Sequence, residues 1–225
     1  MISIYGLMYL ILNIRSLEID RGITSVIGKN GSGKSTLLKI LSGIAEPESG
    51  TILIDGAPPR ECEVGWVNEF PDKNMLYGTV ADEVSSPLRF RHLPCSEVSK
   101  RTNACLDELG IRALQFRRGN DLSGGEKILV ALAAGLNCSP QLLILDECDS
   151  HIDAARAKSI SDILMTCGVP YIIHCTQQME TAARSDNVIV MEGGYVLAAG
   201  KPGDVFPLLK GTSLYPLSWR CGICR

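Results

Sequence analysis

The sequence predicts an α/β fold built on a mostly parallel sheet, with an antiparallel β patch near its N-terminal end and an inserted helical lobe. Three observations carry that expectation. The short runs Ile23 to Ile27, Gln141 to Leu145, Tyr171 to Cys175 and Asn187 to Met191 are apolar on both faces, as strands covered by helices on each side must be. Helix-compatible stretches over 34–41, 124–137 and 154–167 alternate with them. From about Tyr77 to Asn120 the strand signals fade and charged, helix-compatible sequence takes over.

Taken in chain order, the apolar N-terminal segment and Thr51 to Asp55 supply the antiparallel patch, and Ile23 to Ile27 opens the parallel sheet. The expected division is a core of 1–76 and 121–210, a helical subdomain of 77–120 and a C-terminal tail of 211–225. With 225 residues, 45% apolar and 21% charged, there is material for one sizeable core and an embedded lobe. Met1 to Ile14 mimics a signal sequence, but it lacks a basic leading region and a small-residue cleavage site. No stretch reaches the ~18 apolar residues that span a bilayer, so a membrane conduit would have to come from another subunit.

A formal charge of −3 argues against a protein that coats nucleic acid, and no nucleic-acid partner is expected. Of the nine cysteines, Cys138, Cys148, Cys167 and Cys175 fall in or beside apolar or motif segments, which fits a reducing compartment better than a disulfide framework. Cys221 and Cys224 form one C-x-x-C in the tail, two ligands short of a structural zinc site.

The chemistry-bearing residues fall in three segments. Gly28-Lys29-Asn30-Gly31-Ser32-Gly33-Lys34-Ser35 is a phosphate loop, G-x-x-x-x-G-K-[ST], the mark of a P-loop NTPase core. Its glycines let backbone N–H groups close around phosphate oxygens, Lys34 neutralises their charge, and the helix starting near Thr36 adds its positive end. At average composition such a loop arises by chance in roughly one chain of this size in a hundred. Ser35 is the expected Mg²⁺ ligand. The second segment, Leu122-Ser123-Gly124-Gly125-Glu126, is a glycine turn opening a helix, with a hydroxyl and room for close backbone approach. In the third, four apolar residues end in Asp146-Glu147. Asp146 should emerge at the carboxyl end of a buried strand to hold Mg²⁺, and Glu147 is placed to orient or deprotonate a water.

Together these segments resemble the nucleotide-binding subunit of ATP-binding cassette (ABC) proteins, over roughly Ile2 to Pro207. Val64 to Pro71, Thr79 to Val84 and Leu93-Pro94 look most like the importers of the energy-coupling-factor and cobalt group. The resemblance implies that Ser123, Gly124 and Gly125 bind the γ-phosphate of ATP held by an opposite subunit, so that two ATP molecules are sandwiched in a head-to-tail dimer. It implies that Tyr5, 23 residues before Gly28, stacks on adenine, with Tyr9 as the alternative. It further implies ATP and Mg²⁺ as ligands, transmembrane transporter subunits as partners, and a place on the cytoplasmic face of a membrane. The dimer would be with itself or with a second ABC ATPase.

Three departures stand out. Glu69 occupies the position where the family has a glutamine near Mg²⁺ and the attacking water, if Pro71 sets the register; a carboxylate can ligate the metal but adds negative charge beside the γ-phosphate. Gln177 follows Thr176 where the family has a histidine, and it can donate a hydrogen bond but neither carries positive charge nor titrates. His174, three residues upstream, falls on the opposite face of its strand and reads as a core histidine. After Glu147 the chain keeps Ser150 and Asp153 and places His151 between them, toward the expected dimer seam. The sequence is thus read as an ATPase with Glu147, Gln177 and Glu69 as catalytic candidates and a weakened pocket of its own. The alternative is a soluble cassette switch or scaffold, for example in iron–sulfur cluster assembly. Only 112 residues separate Lys34 from Asp146, too few for the long coiled coils of a DNA-repair cassette.

Overall fold

The computed structural model describes residues 1–70, 75–150, 152 and 154–220. The chain divides into two compact units, Met1–Cys62 joined by the chain from Pro170 onward, and Glu63–Val169.

In the first unit, β1 (Ile2–Tyr9) pairs antiparallel with β2 (Leu12–Ile19) on one side and β4 (Ser49–Ile54) on the other. Ile2, Ile4 and Leu7 of β1 are buried while Tyr5 and Met8 are exposed, the alternation of a sheet with one wet face. Gly6, at φ +60°, carries a register shift between Tyr5 and Met8. This is the expected antiparallel patch. The second sheet of this unit runs β7 (Tyr171–Cys175), β3 (Gly22–Gly28), β8 (Asn187–Glu192) and β9 (Tyr195–Gly200). β3 is parallel to both of its neighbours, and only the edge pair β8–β9 is antiparallel. β7 is buried along its full length and β8 over Val188–Met191. α1 (Lys34–Leu41) follows β3, burying Leu37, Leu38, Ile40 and Leu41. A cluster of Ile27, Val188, Val190, Val205 and Phe206 packs the sheet against the chain's end, where the Phe206 and Trp219 rings lie 5.5 Å apart. Each fully buried aliphatic side chain of this kind contributes about 1.5–3 kcal/mol.

In the second unit β5 (Val64–Val67) and β6 (Leu142–Asp146) form a parallel pair. Between them in sequence come α2 (Val80–Phe90), α3 (Cys95–Glu108) and α4 (Gly124–Asn137); α5 (Ala154–Thr166) follows β6. The helices close on Val80, Val84, Leu106, Ile111, Leu122, Val130 and Ala133. α4 runs so close to β5 that a Cβ on Gly65 would lie 2.6 Å from the carbonyl oxygen of Gly135, so the strand cannot carry a side chain at that point of contact. Asn137 ties the bundle: its Nδ2 donates to the Val84 carbonyl at 2.7 Å and to Thr102 Oγ1 at 3.2 Å, satisfying a buried amide. Among the described residues, no helix is long and apolar enough to cross a membrane.

Candidate nucleotide site

The phosphate loop leaves the end of β3 and enters α1. Gly28, Gly31 and Gly33 have φ of +153°, +78° and +101°, in the range that favours glycine. A Cβ on Gly28 would lie 2.2 Å from the Met191 carbonyl oxygen, and one on Gly33 would lie 2.7 Å from Leu12 Cδ2; Gly31 faces open space. Gly33 is the N-cap of α1 and no side chain caps that helix. Lys34 is buried, and its Nζ donates to the carbonyls of Gly28 at 3.0 Å and Lys29 at 3.4 Å, spanning the loop from within. Ser32 is buried too, yet its hydroxyl has no hydrogen-bond partner among the described residues. A buried orphan hydroxyl inside a glycine loop, beside an ammonium and an uncapped helix end, is what a bound anion would satisfy. Ser35 and Thr36 follow in the first turn of α1.

Residues that the sequence reading missed hold this loop from outside. The β8–β9 turn donates Gly194 N–H to the Ser32 carbonyl at 3.0 Å, and Gly194 accepts Asn13 N–H at 2.9 Å. A Cβ on Gly194 would sit 1.7 Å from the Ile11 carbonyl oxygen, so only glycine fits between the β1–β2 turn and the loop. Nothing short of the fold announces that role. Tyr5 lies on β1 in the same unit, exposed, with its hydroxyl donating to Glu18 Oε1 at 2.7 Å, and the carboxylate raises the phenol's pKa. Tyr9 is half-buried opposite Leu12. His174 is buried opposite Ser25 of β3, as a core histidine. Gln177, just beyond β7, reaches Asn30 of the phosphate loop with Nε2 to Oδ1 at 3.3 Å.

In the second unit, Asp146 closes β6, half-buried after four fully buried residues. Glu147 follows with φ +52°, a left-handed conformation unusual for a residue with a Cβ and one that clusters at functional sites. Ser150 holds that turn, its N–H and hydroxyl both donating to the Glu147 carbonyl, at 3.2 Å and 2.5 Å. Cys148 beside it is buried, and desolvation pushes its thiol well above the usual range, so it is inert. His151 and Asp153 lie outside the described residues, as do Pro71, Cys221 and Cys224. Glu69 is half-buried two residues beyond β5.

The glycine turn at 123–125 caps α4. Ser123 Oγ accepts Glu126 N–H at 3.4 Å, and Glu126 Oε2 accepts Ser123 N–H at 2.7 Å, a closed capping box. The Ser123 backbone N–H, then its hydroxyl, hold the Glu126 carboxyl below its ordinary pKa, helped by Arg117 at 3.2 Å and by Arg156. A Cβ on Gly124 would meet open space, whereas one on Gly125 would lie 2.2 Å from Arg156 Cδ. The sequence reading took both glycines as allowing close backbone approach; on the side of Gly125 where a Cβ would stand lies Arg156, a contact 31 residues away that no local signal betrays.

A phosphate loop between a buried parallel strand and an uncapped helix defines a P-loop NTPase. Residues 12–150 match the family model described as ABC transporter, and the chain belongs to that family as one of its ATPase subunits. Among curated relatives, the energy-coupling factor transporter ATP-binding protein EcfA1 of Streptococcus agalactiae is 34% identical over 81% of this chain and 69% of its own. EcfA1 of Lacticaseibacillus paracasei is 34% identical over 85% of this chain and 73% of its own. The solved structure of CbiO1 from Clostridium perfringens, part of the ABC transporter complex CbiONQ, superposes with a TM-score of 0.83 at 32% identity, covering 92% of this chain and 90% of that one. A dimeric ATP-binding cassette in a post-hydrolysis state with ADP and Pi shares the fold, with a TM-score of 0.78 at 23% identity, over 90% of this chain and 99% of that one. These likenesses favour the transport ATPase over the soluble switch or scaffold.

Proposed function

We propose that this ATPase converts ATP and water to ADP and phosphate in a head-to-tail dimer, docked on transmembrane subunits at the cytoplasmic face of a membrane, and that dimer closure powers their transport cycle. The observation that carries the reading is the phosphate loop, with Lys34 buried across it, a buried Ser32 hydroxyl lacking a partner among the described residues, and an uncapped α1. In this reading Asn30, the loop glycines, Lys34 and Thr36 bind phosphate, and Tyr5 or Tyr9 meets the base. Glu147 takes the proton of the attacking water, the step that general-base residues accelerate by about 10²–10⁴. Ser123, Gly124 and Gly125 serve the nucleotide of the opposite subunit.

The oxygen donors Ser35, Asp146 and Glu69 fit a hard cation, and they are the residues that would hold Mg²⁺. The ion supplies charge neutralisation for the transferring phosphoryl group. A carboxylate at Glu69 and an uncharged amide at Gln177 weaken this chain's own pocket, and we assign it a second, more regular ATPase as partner.

Steady-state Mg-ATPase activity of the purified chain tests both parts. Slow turnover is expected from the wild type alone, raised by Gln177→His and reduced at least a hundredfold by Glu147→Gln with nucleotide binding retained. Brisk turnover by the chain alone, abolished by Glu147→Gln, would overturn the need for a partner and leave the ATPase reading standing.

A further inference from the structure

Residue 177 meets the phosphate loop by a route the sequence does not disclose. β7 runs in register with β3 up to Cys175 opposite Val26. Thr176 extends that register by one bond, donating its N–H to the Val26 carbonyl at 3.3 Å, and is buried. Its hydroxyl then accepts Gln178 N–H at 2.9 Å, which turns the chain and leaves Gln177 at the surface beside the loop. From there Gln177 Nε2 donates to Asn30 Oδ1 at 3.3 Å. Asn30 is exposed and lies between Gly28 and Gly31, both at positive φ, in the part of the loop that precedes α1.

We propose that Gln177 is a positioning residue that holds the phosphate loop through Asn30, and so contributes to binding any nucleotide the loop takes, ADP included. The inference rests on the reading of this loop as the nucleotide site. A tether made before the ligand arrives lowers the ordering cost of binding, and that gain does not depend on a γ-phosphate. Two amides keep the same hydrogen-bonding state on either side of neutrality, so the tether works equally at pH 6 and pH 8, where a histidine would change charge.

The test measures binding of ADP and of a non-hydrolysable ATP analogue to the full chain at pH 6 and pH 8, for wild type, Gln177→Ala, Asn30→Ala and the double variant. The loss of one neutral hydrogen bond predicts that Gln177→Ala weakens both nucleotides by about 3- to 10-fold, that Asn30→Ala, which also loses its own contact with phosphate, weakens them at least as much, and that the double change is no worse than Asn30→Ala alone. Gln177→Asn, which keeps the amide but shortens its reach by one methylene, should behave as the alanine variant. Weakening confined to the ATP analogue would make Gln177 a γ-phosphate contact and overturn the proposal, as would losses that multiply in the double variant. If the wild type binds neither nucleotide, the reading of the loop itself falls, and that outcome is distinct from the other two.

Discussion

Two glycine-bearing turns each open a helix in this chain, and they are built in opposite ways. The turn before α4 is closed on itself: Ser123 and Glu126 satisfy each other's backbone N–H, and Arg117 neutralises the carboxylate. The phosphate loop before α1 is open: its N-cap is a glycine, no side chain caps the helix, and the buried Ser32 hydroxyl has no partner among the described residues. The closed turn satisfies its cap with its own side chains, whereas the open one leaves its helix end uncapped and a buried hydroxyl for a ligand to satisfy. Its shape comes instead from Lys34 spanning the loop from within, and from Gly194 on the Ser32 carbonyl and Gln177 on Asn30 outside it.

The largest effect that would sharpen this contrast comes from Lys34→Ala. Removing the ammonium from the open loop should cost at least about a hundredfold in nucleotide turnover, by analogy with the loss of a single charge-stabilising donor. An ATPase assay checks it, and a change of less than threefold would break the claim that the open loop is the reactive one.

Next comes backbone shape. Gly28→Ala sets a Cβ 2.2 Å from the Met191 carbonyl oxygen at φ +153°, while Gly31→Ala meets no atom within 4 Å and bears only the strain of φ +78°. Thermal unfolding should show a loss of about 2–4 kcal/mol for the first and about 1 kcal/mol for the second. Equal losses would mean the loop is not held against β8.

The smallest effect belongs to the closed turn. Ser123→Ala should lower stability by about 1 kcal/mol at pH 7, the usual worth of an N-cap. Because Glu126 titrates lower in the folded chain than when unfolded, its contribution is fully present above its unfolded pKa, about 4.3, and is lost as pH falls through the folded value. The gap in melting temperature between wild type and Ser123→Ala should therefore narrow as pH falls below about 4. A gap that stays constant from pH 7 to pH 3 would detach the capping box from the Glu126 charge.

Much of this was legible in the chain because it is local. α1 over Lys34–Leu41, α4 over Gly124–Asn137 and β7 over Tyr171–Cys175 begin and end where apolar periodicity and glycine punctuation put them. Asp146 stands at the end of its strand because four apolar residues before it demand burial and a carboxylate does not tolerate it. β9 was not legible: it has no buried residue, alternating only between exposed and half-buried positions, and its pairing with β8 supplies the strand.

By itself, then, the sequence determined the α/β alternation, the phosphate loop, the strand that ends in Asp146 and the family those motifs define, all set by residues close together in the chain. Only the tertiary structure decided that Gly194 must be glycine to pass Ile11, that Arg156 lies where a Cβ on Gly125 would stand, and that Gln177 reaches Asn30. The physical reason is range. Periodicity and turn chemistry act over a few residues, while these contacts join positions 31 to 183 residues apart, and packing alone brings them within touching distance.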